Sequence, residues 1–534
     1  MAGLGSRSPT CSDCDCRRSQ KVSAMTAFAL DRNAARRRRF AISKIALTIL
    51  LVIVADYLLY DRPIGVSLAI FAAALTLGVF AVAGRGLDAK ALALRAAGAA
   101  AAILPLLENV SPLSVIVCFS GLALVALSCS RRLAPGVAAS ARRLARFMLA
   151  APFRLIADVF RLRRARAKMG AVGALGESFL IWVMPAAVGL VFVALFGMAN
   201  PLIEDWLTQI VAALTRANIW RALFWIVAAA LVWAYLRPRL LGWRGVRARK
   251  PALQPLVQSR FRDLLLGRPA LLRALLLFNA IFAVQTLLDM YYLWGGAALP
   301  QNMTYAGYAH RGAYPLVVTA LLAAAFVLAA MRPGGAAEND ATIRKLVYLW
   351  VAQNVALVLS SMLRLDLYIS VYALTYLRTA AFLWMGLVAL GLIFIMARII
   401  LGRSNEWLAS ANILSLAILL YISCFINFAG VIARYNVDHS QELGGQGVDI
   451  DEWYMSVLGV QAIPAMDRFA AAAPEVCVSG PDSCFYWRSS IEEAFRRDMS
   501  DWRYWTFRNY RLMRYLETTD AKQANPQTES EPRS

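Results

Sequence analysis

Asp289, His310, Arg311 and Arg364 are the side chains whose types suit proton transfer or the holding of a charged ligand. The chain has 534 residues and only two histidines, His310 and His439, so a histidine metal centre or relay has little to draw on. His310 and Arg311 stand in QNMTYAGYAHRGAYPL, Gln301 to Leu316, beside Tyr305, Tyr308 and Tyr314. Asp289 closes an apolar run one helical turn after Gln285, and Gln353, Ser360 and Arg364 recur at a spacing that puts them on one helical face. The following stretch, RLDLYISVYALTYLR, adds Asp366, Tyr368, Tyr372 and Arg378. Two readings fit the set. In one, these residues form a polar pocket that opens to the outer membrane face and binds a small molecule, because ionisable groups at membrane depth are costly and mark sites. In the other, the tyrosines and arginines sit at headgroup level as an aromatic belt with snorkelling cations.

Motifs for catalysis are missing. There is no HExxH, no GxSxG and no phosphate-binding glycine loop, so no catalytic residue and no cofactor is assigned, and the chain reads as a non-enzyme. Cys11, Cys14 and Cys16 in CSDCDC fall one ligand short of a structural zinc site, so no metal is expected. Met25 precedes TAFALDRNAARRRRF, which already carries a positive anchor, so Met1 and Met25 both stand open as the start and residues 1–24 are expected to be dispensable.

These residues must be positioned by helices in lipid. The chain is 60% hydrophobic and 17% charged, with mean hydropathy +0.55, more apolar than a soluble domain can cover with polar groups. Apolar runs long enough to cross ~30 Å of hydrocarbon as helix recur, and no strand alternation accompanies them. The fold expected is all-α, a polytopic helical membrane protein with about eleven spans: Ala41 to Tyr60, Ile64 to Ala83, Ala91 to Leu107, Leu113 to Ser130, Phe179 to Ala199, Trp220 to Leu236, Leu271 to Trp294, Ala313 to Met331, Leu346 to Met362, Ala380 to Ile400 and Leu408 to Ala433.

The net charge of +23 is concentrated in alternate loops, at Arg36 to Arg39, Arg131 to Lys168, Arg237 to Arg262, Arg332 to Lys345 and Arg398 to Arg403. By the positive-inside rule these loops and the amino terminus are cytoplasmic and the carboxyl terminus lies across the membrane. The basic helix from Ala141 to Lys168 sets Leu144, Phe147, Met148, Leu155, Val159 and Leu162 on one face, which suits an anionic inner leaflet as partner. No DNA-binding motif goes with the charge, so nucleic acid is not expected.

The organisation that follows is a basic cytoplasmic segment 1–40, four spans in 41–130, a basic amphipathic segment 131–176, two spans in 177–236, a basic loop 237–270, five spans in 271–433, a periplasmic helical domain 434–516 and a disordered tail 517–534. In that domain Cys477 and Cys484, with six intervening residues that include Gly480 and Pro481, are expected to form a disulfide in an oxidising compartment.

Several segments resemble a known family. DYLLYDRPIGVSLAIF, LLFNAIFAVQTLLDMYYLWGG, RLDLYISVYALTYLR, VDIDEWYMSVLGVQAIPAM and DWRYWTFRNYR are similar to the recurring segments of an uncharacterised bacterial inner-membrane family, domain of unknown function 4173, and of a related family numbered 4153. The resemblance implies a bacterial multi-pass inner-membrane protein and brings no activity, cofactor or site residue. Three functions stay open: a binder or transporter of a small molecule, a scaffold or sensor that meets an unknown protein partner, and, third, a membrane-embedded enzyme.

Overall fold

The computed structural model describes residues 43–83, 88–167, 218–238, 267–294, 340–445 and 447–524, with short pieces between 184 and 209 and between 318 and 326. The described residues are helical and carry no strand. Among the described residues eight helices are long and apolar enough to cross a membrane: α2 (Val66–Ala83), α3 (Ala89–Glu108), α4 (Pro112–Cys129), α7 (Ile219–Leu236), α8 (Arg268–Asp289, continued by a π-turn Met290–Trp294), α9 (Ala341–Tyr372), α10 (Tyr376–Ile400) and α11 (Asn405–Ser423). The described part of the first expected span is α1 (43–59). The fifth and eighth expected spans, the CSDCDC stretch and residues 525–534 of the expected tail fall largely or wholly outside the described residues, whereas residues 517–524, expected as disordered tail, continue the helix Phe507–Ala524.

Helix starts follow from capping chemistry, because the first backbone N–H groups of a helix need acceptors from outside it. Ser111 accepts from Ser114 N (3.2 Å) ahead of Pro112. Asp340 accepts from Thr342 N (2.9 Å) and Ile343 N (3.2 Å), and Ser404 accepts from Trp407 N (3.1 Å).

The apolar run expected as one span from Leu408 to Ala433 is two helices. α11 ends at Ser423, Asn427 caps a new start by accepting from Gly430 N (3.2 Å), and α12 (Phe428–Asp438) follows. Hydropathy cannot separate lipid-facing from core-facing apolar residues, and Ala429, Ile432, Ala433 and Val437 are buried in the carboxyl-terminal domain. That domain adds α13 (Glu452–Leu458) and α14 (Ile463–Ala472) around Met466, Phe469 and Phe485, and α15 (Arg488–Met499) and α16 (Phe507–Ala524), which pack on Ile463 through Phe495, Leu512 and Leu516. Cys477 and Cys484 are joined by a disulfide and buried in the same core.

The stretch expected as a continuous basic helix is also two pieces, α5 (Val137–Ala150) and α6 (Arg154–Ala167). Phe147 is fully buried, edge-on to Tyr235 of α7 at 5.4 Å, with the Arg154 guanidinium over its ring, 4.8 Å from the centroid. Part of the apolar face therefore packs on the bundle, while Leu149, Phe153, Ile156 and Val159 remain exposed.

α4 fixes which end is which. Its start follows Glu108, to which Arg511 of α16 is bonded (2.5 Å), and its end leads into α5. The carboxyl-terminal domain also meets the α1–α2 connection, through Val66 N to Trp505 O (2.7 Å), and the α9–α10 connection, through Leu374 N to Asn436 Oδ1 (2.7 Å). Basic α5 and α6 lie at the opposite end, where Ala138 N reaches Ser410 Oγ (3.4 Å) near the start of α11.

Candidate functional site

α8 and α9 run parallel, joined at both ends by arginine–aspartate pairs. At the start of the two helices Arg268 Nε donates to Asp340 Oδ2 (2.5 Å). In the middle Asn279 Nδ2 donates to Leu346 O (3.2 Å) and Gln353 Nε2 to Asn279 O (3.2 Å), beside Trp350 stacked on Phe278 with centroids 5.2 Å apart. At the far end Arg364 bonds Asp289, whose Oδ1 also accepts from Gln285 Nε2 (3.0 Å). Asp289 is 0% and Arg364 3% exposed. A lone charge there would cost several kcal/mol, and the pair with its added hydrogen bond offsets that cost. This arrangement is a clamp between helices; it is not a carboxylate open to water.

Arg378 serves the turn between α9 and α10. It donates to the carbonyls of Tyr372 and Ala373, which α9 leaves unpaired at its end, and lies over the Tyr368 ring at 4.6 Å. Tyr368 and Tyr372 are in ring contact at 4.8 Å. A small cavity of about 190 Å³ beside Arg378 is lined also by Asp449, Asp451 and Tyr454. Asp366 is exposed, on a different face from Arg364, and acts on Tyr435 of α12, whose phenol is raised first by burial and then by this carboxylate. Tyr305, Tyr308, His310, Arg311 and Tyr314 lie outside the described residues. The structure thus brings Asp289 and Arg364 together, holds Gln353 lower on the same two helices, and gathers Tyr368, Tyr372 and Arg378 at the domain end.

A larger cavity, about 740 Å³, lies between α12, α14 and α16. Arg434, Tyr435, Asp438 and His439 line it from α12, Arg468 from α14, and Arg508, Arg511 and Tyr515 from α16, where their spacing of three and four residues sets them on one helical face. His439 stacks on Tyr435 at 4.0 Å, and Arg468 pairs with Asp438 (2.7 Å). Arg508 is buried, with bonds to Glu108 Oε1 and Cys424 O, both 3.3 Å. Burial pulls its guanidinium below the ordinary arginine value, opposed by Glu108. Tyr515 donates to Asp467 Oδ2 (3.0 Å), and its phenol is pushed up to about 12, first by burial, so it stays a donor.

This cavity leaves little trace in the sequence, where DWRYWTFRNYRLMRYL shows only a basic, aromatic helix. The available signal is Arg508, Arg511 and Tyr515 on one face; the bonds of the two arginines to Glu108 span some 400 positions and leave no local trace. Among the described residues no group of three or more His, Cys, Asp or Glu side chains could hold a metal.

The sequence profile of the family described as "Domain of unknown function (DUF4153)" matches residues 44–469. The match falls on the second of the two families that the recurring segments resemble. No curated protein and no solved structure matches the chain.

Proposed function

Because the chain belongs to the DUF4153 family, whose description carries no activity, we propose a function from the geometry alone: a non-catalytic, multi-pass membrane protein that binds a small molecule in the cavity among α12, α14 and α16 of its carboxyl-terminal domain. That it is an integral membrane protein follows from its apolar helices. The observation that carries the binding reading is the cavity itself, about 740 Å³ and lined by convergent arginines, tyrosines and a histidine. This size falls in the range of small-molecule sites, and charged and hydrogen-bonding groups converge among the apolar ones of its lining, as such sites require. The buried Asp289–Arg364 clamp has the supporting role of fixing α8 against α9.

In this reading the basic end faces the bacterial cytoplasm and the domain end faces the periplasm. The concentration of arginines in α5 and α6, opposite the carboxyl-terminal domain, supports that orientation. Exposed Leu149, Phe153 and Ile156 beside those arginines support contact with an anionic inner leaflet. A second reading, a scaffold or sensor, is favoured by Val478, Tyr486 and Trp487, which the domain leaves exposed near the disulfide.

The binding reading is tested by native mass spectrometry of the full chain released from detergent. A co-purifying small molecule is expected on the wild type. It should be lost from Val431→Trp, which fills the cavity from an exposed lining position and leaves the fold intact. Absence of any bound molecule from the wild type, or its retention by the filled variant, would overturn the proposal.

A further inference from the structure

The charge of the cavity names the chemistry of its ligand, an inference that rests on the reading above. Four guanidiniums, those of Arg434, Arg468, Arg508 and Arg511, line one space. Two carboxylates are bonded to members of this set: Asp438 takes Arg468, and Glu108 is shared by Arg508 and Arg511. Like charges held together in a cleft raise its potential and attract an anion. Arg508 is the most telling of the four. It is 6% exposed, yet both of its hydrogen bonds are 3.3 Å long. Charge-assisted bonds of this kind run about 2.7–2.9 Å, and a guanidinium has five donors to place. A buried arginine this loosely held keeps donor capacity for a better acceptor.

The neighbouring groups add to the selection. Tyr515 on the same wall stays protonated and spends its one O–H on Asp467, so it brings no negative charge, and on another wall Asn427 Nδ2 donates to Gln461 Oε1 (3.0 Å). An acceptor with several oxygens, two of which can meet one guanidinium side by side, fits several arginines better than a single carboxylate does. The level of the cavity fits too. Glu108 is the last residue of a membrane-crossing helix, and Cys424 follows the last residue of another. Both touch Arg508, so the cavity floor stands where the apolar spans end and lipid headgroups begin.

We propose that the cavity binds a phosphoryl group, as a phosphate monoester or diester, held by Arg434, Arg508 and Arg511. The same chemistry is offered by a lipid headgroup and by a soluble phosphate compound, and two arms of one experiment separate them. The full chain is purified in a maltoside detergent that carries no phosphate. It is titrated with inorganic pyrophosphate in one arm and with mixed micelles containing phosphatidic acid in the other, and binding is read by native mass spectrometry and by thermal shift.

Saturable binding in at least one arm is expected, weakened about tenfold or more in Arg434→Gln, a loss of roughly 1.4 kcal/mol. Arg434 is exposed, so this variant should melt as the wild type does. Arg434→Lys should recover part of the affinity. Binding in the pyrophosphate arm alone identifies a soluble ligand, and binding in the phosphatidic acid arm alone identifies a lipid. No binding in either arm, or equal binding by wild type and an Arg434→Gln/Arg511→Gln variant, would overturn the phosphoryl assignment. If Val431→Trp still expels a co-purified molecule without phosphorus, the cavity remains a ligand site and only its chemistry is wrong; if no molecule is found at all, both readings fall together.

Discussion

Arg364 of α9 and Asp289 at the end of α8 form an ion pair whose side chains are 3% and 1% exposed. The carboxylate accepts from Gln285 as well, so the pair is held by more than its own attraction. Breaking one partner strands a charge in a medium of low dielectric. Asp289→Asn or Arg364→Gln should therefore each cost about 3–5 kcal/mol, while a paired Asp289→Leu/Arg364→Met replacement should lie within a few kcal/mol of the wild type, on either side. Denaturant or thermal unfolding of the purified chain measures all three. Single variants as stable as the wild type would mean that the charges are not held together out of water.

Gly65 lies under the backbone of Arg503 and Tyr504, where an added Cβ would fall inside the contact distance of both residues' main-chain atoms. Backbone cannot swing aside as a side chain can, and the same contact carries the bond from Val66 N to Trp505 O (2.7 Å). Gly65→Ala should thus loosen the carboxyl-terminal domain from the bundle without unfolding either. Limited proteolysis in membranes should show faster cleavage between α15 and α16 in the variant, and an unchanged digestion pattern would count against this docking geometry.

The sequence made the spans legible because lipid imposes one rule on every crossing helix, a long apolar stretch. It also showed the polar stripe of α9, since Ser360 and Arg364 repeat at helical spacing. No local spacing chooses a partner for Arg364; the α8–α9 interface brings it Asp289, while Asp366, two residues along, is exposed on another face. α12 was hidden inside an apolar run, because the domain core and the bilayer ask for the same residues. The arginine cavity was hidden for a different reason: its walls come from helices joined only in three dimensions, and Arg508 and Arg511 read alone are two more cations in a basic chain.

The docking contact should also depend on pH. Asp501 accepts from Arg503 N (3.0 Å) at the start of the short turn Trp502–Tyr504 that meets α2. This backbone bond is the main reason its carboxyl lies below the ordinary aspartate value, with Arg503 adding to it. A depressed value in the folded state means that the ionised form stabilises the fold above the ordinary value, about 3.9, and that this contribution is lost as pH falls through the folded value. Asp501→Asn keeps a capping oxygen and removes the titration. The acid-induced loss of protease resistance should therefore be shallower in the variant than in the wild type, and identical acid profiles would show that Asp501 contributes nothing to the dependence.

The disulfide between Cys477 and Cys484, seven positions apart, closes a short loop in the domain core. A loop of this length restricts the unfolded chain modestly, so replacing both residues by alanine should cost about 2–3 kcal/mol of domain stability on the chain-entropy account. The loss has a simple readout, since Phe469 and Phe485 pack around the bridge at 5.6 Å from one another and the domain should become more open to protease when it is absent. The bond also reports sidedness. Disulfides persist in oxidising compartments and are reduced in the cytosol. Cells lysed into an alkylating reagent should yield Cys477 and Cys484 unlabelled until reductant is added, as a domain facing the periplasm requires. Free thiols at both positions in freshly lysed cells would place the domain on the reducing side and reverse the proposed orientation of every span.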